Sequence, residues 1–508
     1  MPIKKFIFAS SAIWLLLLLV SMPFAVSAAV EPVSDEQDQG ALCEQVETYI
    51  QQQMTRLNLP GAAVAIVEGD EIVCLRAFGE AITPQTPFFI GSLTKSFTAL
   101  AVMQLVEDGK VDLDAPIQQY LPWFQVKDPQ ASAQMTVRHL LIQNSGLSQS
   151  VGMIPLAEFD DEPNATERLT RRLTTVELAR PVGSAWEYSN MNYNILSLII
   201  ESASGETYEA YIQNRIFAPL EMQHSHTSKA DARRDNLAVG HIFWFGAPLP
   251  EPDLPVPLGS LPSGQLISSA EDMAHYLIAH LNDGRYGDIQ VLSPEGIAEL
   301  HRPTVQVASM GVEMGAYGMG WFVEATQHGT RLWHNGQVPD YFAYMTLLPE
   351  QNRGLVLLVN ANQMMMNFAL LGLGEDTATL LAGIEPEPFP WGVFPWLFRS
   401  FLLIPVFQFI GVVATWRRLK RWRQEPGRRP GLVRMWIFHI LLPIFANLLL
   451  VLGALSLLTS DLRRMILLFM PDLSWLILVC GGFALIWMFA RTWLILTTAE
   501  RTPKQRLS

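Results

Sequence analysis

The chain has 508 residues, 16% of them charged, with a formal net charge of −13 and a mean hydropathy of +0.21. That length exceeds one domain's usual share, and that hydropathy requires a search for membrane segments before any fold is read. The charge is divided, −26 over residues 30–396 and +11 over 397–508, so the acidic body argues against nucleic acid or an anionic membrane surface as its partner.

In chain order, Lys4 and Lys5 precede an apolar run, and small residues follow at 25–29. This predicts a signal peptide over 1–28, cleaved near Ala28. Residues 42–57 predict an amphipathic helix. Residues 61–69 and 71–81 predict two strands joined at Gly69-Asp70 as a hairpin. Cys43 and Cys74 lie in this region, and two readings stand: one disulfide if the body is exported, or two buried thiols. From about 90 to 300 the pattern is mostly helical, broken by Pro- and Gly-rich loops. Strand-like runs return at 317–325, 330–335, 341–349 and 354–361, with a last helix over 365–382. Strands at both ends with helices between predict an α/β (α+β) body over 40–382, one sheet built from both termini and a helical insertion as a second lobe.

Residues 383–396 are Pro-rich and predict a stiff linker. Apolar runs at 397–415, 435–458 and 473–496 each approach or exceed the roughly 20 residues that cross a bilayer. They predict three transmembrane helices over 397–496. The loop 417–434 carries eight Lys/Arg and one Glu, which places it in the cytoplasm, together with the basic tail 497–508. The body then lies outside, as export of the N-terminus also predicts. The expectation is a multi-pass protein of the cell membrane with a periplasmic or extracellular body.

Three stretches carry chemistry. Ser92-Leu93-Thr94-Lys95 is the one S-x-x-K in the chain, at a helix start after Gly91. Residues three apart share a helix face, so the Lys95 amine can meet the Ser92 hydroxyl, which needs a base to become a nucleophile. Tyr188-Ser189-Asn190 is the one Y-x-N, on a loop before an apolar helix. A Tyr near a Lys can relay a proton, and an Asn can hold an amide. His334-Asn335-Gly336-Gln337 ends a strand-like run, where a glycine lets a substrate backbone approach. Taken singly, each has a plain structural reading: a helix cap and surface Lys, a cap and turn, a surface strand His.

In this order and spacing, the three resemble the class C β-lactamase-like and penicillin-binding-protein-like serine hydrolases. The stretches 136–147, 261–277 and 317–321 are similar to the same family. The resemblance covers about 42–380. It implies the β-lactamase/transpeptidase-like fold, an antiparallel sheet flanked by helices with a helical lobe. It also implies Ser92 as acylated nucleophile, Lys95 and Tyr188 sharing its proton, and Asn190 holding the substrate amide. His334, Asn335, Gly336 and Gln337 would line the substrate strand, with the N–H groups of Ser92 and Gln337 as oxyanion hole. Relatives that recognise penicillin usually carry Lys where His334 stands. Asp340 stands where many carry Gly, either selecting a cationic substrate at the pocket rim or simply solvated. Signal peptide, body and membrane helices together resemble the membrane-bound prodrug-activating peptidases that remove an N-acylated D-amino-acid cap.

The expected activity is hydrolysis of a small peptide, amide or ester through an acyl-enzyme, with no metal or organic cofactor and no nucleic-acid partner. A transporter or other membrane partner is left open. The alternatives are a penicillin-binding sensor or a binding protein without turnover.

Overall fold

The computed structural model describes residues 35–500 apart from 159, 252, 310–311, 426, 428–429 and 460–462. The expected signal peptide and residues 501–508 of the tail lie outside these. The chain forms two compact units that part between Trp396 and Leu397.

In the body, helix α1 (Asp35–Leu57) buries Val46, Ile50 and Leu57. The hairpin follows as β1 (Gly61–Glu68) and β2 (Glu71–Gly79). Cys43 and Cys74 are joined in a disulfide that ties α1 to β2. The sheet is completed from the far end of the body by β3 (Val305–Ser309), β4 (Val312–Tyr317), β5 (Phe322–Thr326), β6 (Gly329–Val338), β7 (Tyr341–Leu348) and β8 (Arg353–Val359). All neighbours are antiparallel, in the order β2-β1-β8-β7-β6-β5-β4-β3.

The central strands are apolar without alternation because both faces are covered. Ala63, Ala65, Val67, Met345, Leu347 and Val356 join one large core with Met273, Ala274 and Leu277 of α4 (Ala270–Leu281). Residues of opposite parity face α1 and α5 (Asn367–Leu381), where Gly374 lies against the Tyr344 ring. The helical lobe is built around α2 (Thr94–Glu107) and α3 (Asn190–Ser204), both rich in buried residues.

The single strand expected over 317–325 is two. Gly318–Trp321 turns the chain between β4 and β5, and Gly320, at φ +82°, packs its backbone on Ser96. A side chain there would meet Ser96 Cα at 2.8 Å, so the break serves close packing that apolar patterning does not reveal. The strand β3 and short pairs such as His241–Trp244 with Ala247–Pro250 also lay outside the pattern. The Pro-rich segment is docked on the body: Trp391 covers Gly372 and donates to Asp376 Oδ2 at 2.7 Å, which also accepts from Tyr49.

The second unit holds the apolar helices. Val393–Gln424, Leu432–Leu458 and Pro471–Thr498 are each long and apolar enough to cross a membrane. They expose large apolar side chains such as Phe407, Phe409, Phe445, Ile486 and Phe489, as a lipid-facing surface would.

Candidate active site

Ser92 lies in the single turn Gly91–Leu93 that leads into α2. Ile90 and Leu93 anchor the turn in the core. Ile90 N–H donates to Leu266 O at 3.0 Å, and Leu266 N–H donates to Thr94 Oγ1 at 3.2 Å. One helical turn on, Lys95 Nζ stands 2.9 Å from Ser92 Oγ and donates to Ser263 O at 2.6 Å. Lys95 is fully buried, makes no ion pair among the described residues, and lies 4.9 Å from the Tyr188 ring centroid. Burial alone holds its amine well below the ordinary lysine range.

Tyr188, on the loop before α3, donates its hydroxyl to Ser92 Oγ at 2.8 Å. Burial pushes its phenol up, out of the ionised form. Asn190 opens α3 with Nδ2 3.7 Å from Met153 Sδ. Its buried Oδ1 has no hydrogen-bond partner among the described residues, an acceptor open to an amide N–H.

The strand β6 closes the site. It pairs with β5 only as far as Trp333, but with β7 through Val338. Its end, His334 to Val338, is thus a local edge in an interior strand, and that edge faces the Ser92 turn. The approach is close: a Cβ on Gly336 would fall 1.9 Å from Ile90 O and 3.1 Å from Ser92 N, and one on Gly91 would fall 2.2 Å from Gln337 N. The backbone of Gly336 and Gln337 therefore packs directly against the Ile90–Ser92 turn.

His334 is buried, not on the surface. Its Nδ1–H donates to Asn335 O at 2.7 Å, which leaves Nε2 to accept from Tyr317 OH at 3.3 Å. Burial, with Lys95 nearby, lowers its imidazole to about 3, so it is neutral in ordinary conditions. Asp340 is not solvated. It is 6% exposed and packs on Gly240, and burial pushes its carboxyl up to about 7 against the opposing pull of Lys229.

Ser92, Lys95 and Tyr188 are thus joined by hydrogen bonds, His334 lies beside the Tyr188 ring, and Gly336 and Gln337 lie against the Ser92 turn. Asn190 follows Tyr188 two residues on with Met153 as its contact, and Asn335 contributes its carbonyl to His334. Sequence reasoning assigned no role to Ser263, Gln143 or Tyr317. Gln143 Oε1 accepts from Ser189 N–H at 2.9 Å and from Asn192 Nδ2 at 2.5 Å. All three lie in the stretches 261–277, 136–147 and 317–321 noted for resemblance alone. A backbone acceptor such as Ser263 O has no side-chain signal.

The family model described as Beta-lactamase matches residues 46–373. Protein flp of Staphylococcus aureus (strain MRSA252) is 27% identical over 332 residues, 63% of this chain and 63% of its own length. The chain therefore matches less than two thirds of that relative. Penicillin-binding protein 4 of Amycolatopsis lactamdurans is 29% identical over 347 residues, 66% of this chain and 89% of that one. Among solved structures, the octameric penicillin-binding protein homologue from Pyrococcus abyssi is similar at TM-score 0.58 and 28% identity, covering 68% of this chain and 78% of that chain.

Proposed function

The chain belongs to the beta-lactamase family, and from that premise we propose that it is an acyl-enzyme-forming serine hydrolase of small peptides, amides or esters, anchored in a membrane with its body outside the cytoplasm. One observation carries the chemistry: Ser92 Oγ lies between the Tyr188 hydroxyl at 2.8 Å and the Lys95 amine at 2.9 Å, with Lys95 buried and without a counter-ion among the described residues.

The mechanism follows from the hydrogen bonds. Tyr188 donates to Ser92 Oγ, and Lys95 Nζ contacts both Ser92 Oγ and Ser263 O. In its neutral form Lys95 can keep an N–H on Ser263 O and turn its lone pair to the Ser92 hydroxyl. As Ser92 Oγ attacks the substrate carbonyl, its proton passes to Lys95. The carbonyl oxygen gains negative charge between the N–H groups of Ser92 and Gln337. Collapse breaks the carbonyl's bond to the amine or alcohol, which leaves with a proton relayed through Tyr188, itself reprotonated from Lys95. Water then enters, loses a proton to the same pair and releases the acid.

The neutral His334 supplies no fixed positive charge where a substrate carboxylate would be met, which favours substrates held by their amide over those held by a carboxylate. The outward placement of the body is supported by the Cys43–Cys74 disulfide, which suits an oxidising compartment, and by the basic loop between the first two apolar helices.

The test is intact-mass analysis of the full chain in detergent after exposure to a fluorophosphonate and, separately, to a penicillin, with Ser92→Ala as control. A fluorophosphonate adduct that requires Ser92 is expected. Folded protein that takes up neither reagent refutes the reading, and a lasting penicillin adduct redirects it to a sensor.

A further inference from the structure

The three apolar helices carry a cationic cluster that has no carboxylate partner among the described residues. Arg491, in the Pro471–Thr498 span, is 8% exposed, and its Nε donates to Thr415 Oγ1 at 3.1 Å. Thr415 Oγ1 already donates to Gly411 O at 2.7 Å, so it takes one Arg491 hydrogen and has no second group to offer. The remaining guanidinium donors have no hydrogen-bond acceptor among the described residues. Arg418 donates to His439 Nδ1 at 3.1 Å. That bond makes Nδ1 the acceptor and leaves Nε2–H as a donor with no acceptor among the described residues. Arg418 and Arg491 both lie within electrostatic reach of His439. None of the three forms an ion pair with a carboxylate among the described residues.

A buried guanidinium without a counter-ion is costly, and in an apolar bundle it marks a polar ligand or a pathway. The position narrows the choice. Arg418 ends the first apolar helix, His439 begins the second and Arg491 lies near the end of the third. Chain order puts all three at the end of the bundle that carries the basic loop. Trp422 stands against the His439 ring at 5.4 Å, and Leu419, Trp422, Met435, Ile440 and Ile495 form an apolar cluster there. Fork-shaped donors above an apolar cluster match a phosphodiester with acyl chains attached, and free phosphate has no use for the apolar part.

We propose that Arg491, Arg418 and His439 form a binding site for the headgroup phosphate of an anionic phospholipid at the basic-loop end of the three apolar helices. The site rests on the reading that these helices cross a bilayer and is independent of the chemistry at Ser92. It would fix the bundle to lipid at one leaflet, beyond what the apolar surface alone does.

The test uses the full chain in neutral detergent, depleted of lipid and titrated with dioleoylphosphatidylglycerol, dioleoylphosphatidylcholine or inorganic phosphate, with bound species counted by native mass spectrometry. Saturable phosphatidylglycerol binding about tenfold tighter than phosphatidylcholine is expected. Arg491→Gln and Arg418→Gln should each weaken it about tenfold, the order of one charged hydrogen bond. Arg491→Lys, which keeps the charge, should weaken it less and guards against a folding defect in Arg491→Gln. Equal binding of the two lipids by the unaltered chain, which needs no variant, overturns the proposal. So do variants that bind as the parent does, and so does displacement of the lipid by inorganic phosphate. Carbonate extraction of membranes checks the bilayer reading separately: a chain that resists extraction yet binds the two lipids alike refutes the site alone.

Discussion

The Tyr188 hydroxyl, at 2.8 Å, and the Lys95 amine, at 2.9 Å, both donate to Ser92 Oγ, so two proton-carrying groups converge on one hydroxyl. In the proposed mechanism Lys95 is the base in the attack, and Tyr188 the donor to the leaving group. Lys95→Met should slow fluorophosphonate labelling of Ser92 by about 100-fold or more, the usual loss of a general base. Tyr188→Phe should slow it less, because fluoride leaves without a proton. Labelling rates of the two variants decide the matter, and equal losses would make Tyr188 the base.

The same arrangement sets a pH profile. Burial lowers the Lys95 amine, and only its neutral form accepts the proton. Labelling should therefore rise with pH through that lowered value and then level off well below the ordinary lysine range. A rate still climbing toward pH 10 would show Lys95 charged in the free protein.

Much of the site was legible from three short motifs, because nucleophile, relay and substrate strand each need particular side chains. Spacing could not show that β6 outruns β5 and so turns an interior strand into a local edge at His334. Nor could it show that Gln143 sits at φ +60° with its side chain bracing Ser189 and Asn192. The hairpin and last helix were clear from periodicity, whereas β3 and β4 were not. The fate of Asp340 was legible in neither way, because its burial depends on Gly240, 100 residues earlier in the chain.

Close backbone approach at Gly336 gives a sharp test of the oxyanion gap. A Cβ there would stand 1.9 Å from Ile90 O, far inside contact distance, and would push β6 away from the Ser92 turn. Gly336→Ala should cut Ser92 labelling by about 100-fold or more through lost oxyanion donors. The disulfide and the helix packing elsewhere should persist, as circular dichroism would show. Labelling at the parent rate would remove Gln337 from the oxyanion role.

Buried imidazoles should make the body sensitive to acid. His301 and His334 are both lowered by burial to about 3 from the ordinary 6.5, and His280, 2.9 Å from His301, is lowered as well. Between about pH 3 and 6.5 the unfolded chain binds more protons at these histidines than the folded one, so their contribution to stability falls as pH drops through that window, against the opposite contribution of Asp340. His301→Gln should flatten the dependence by up to about 1.4 kcal/mol per pH unit, one proton's share. Thermal loss of Ser92 labelling, followed from pH 4 to 7, measures it. An unchanged slope would mean that His301 is not among the groups held neutral.

The disulfide offers a final test that links fold to compartment. Cys43 and Cys74 are 31 residues apart in sequence, and the loop they close holds the end of α1, all of β1 and the hairpin turn. Constraining a loop of that length in the unfolded chain stabilises the folded one by about 4 kcal/mol. Replacing both cysteines by serine should lower the temperature at which Ser92 labelling is lost while leaving the labelling rate below that temperature unchanged, because neither sulfur lies near the nucleophile's hydrogen bonds. Reducing agent should do the same to the parent and nothing further to the double variant. A parent insensitive to reductant would show that the two thiols are not joined in the protein as made, and would remove one support for a body that lies outside the cytoplasm.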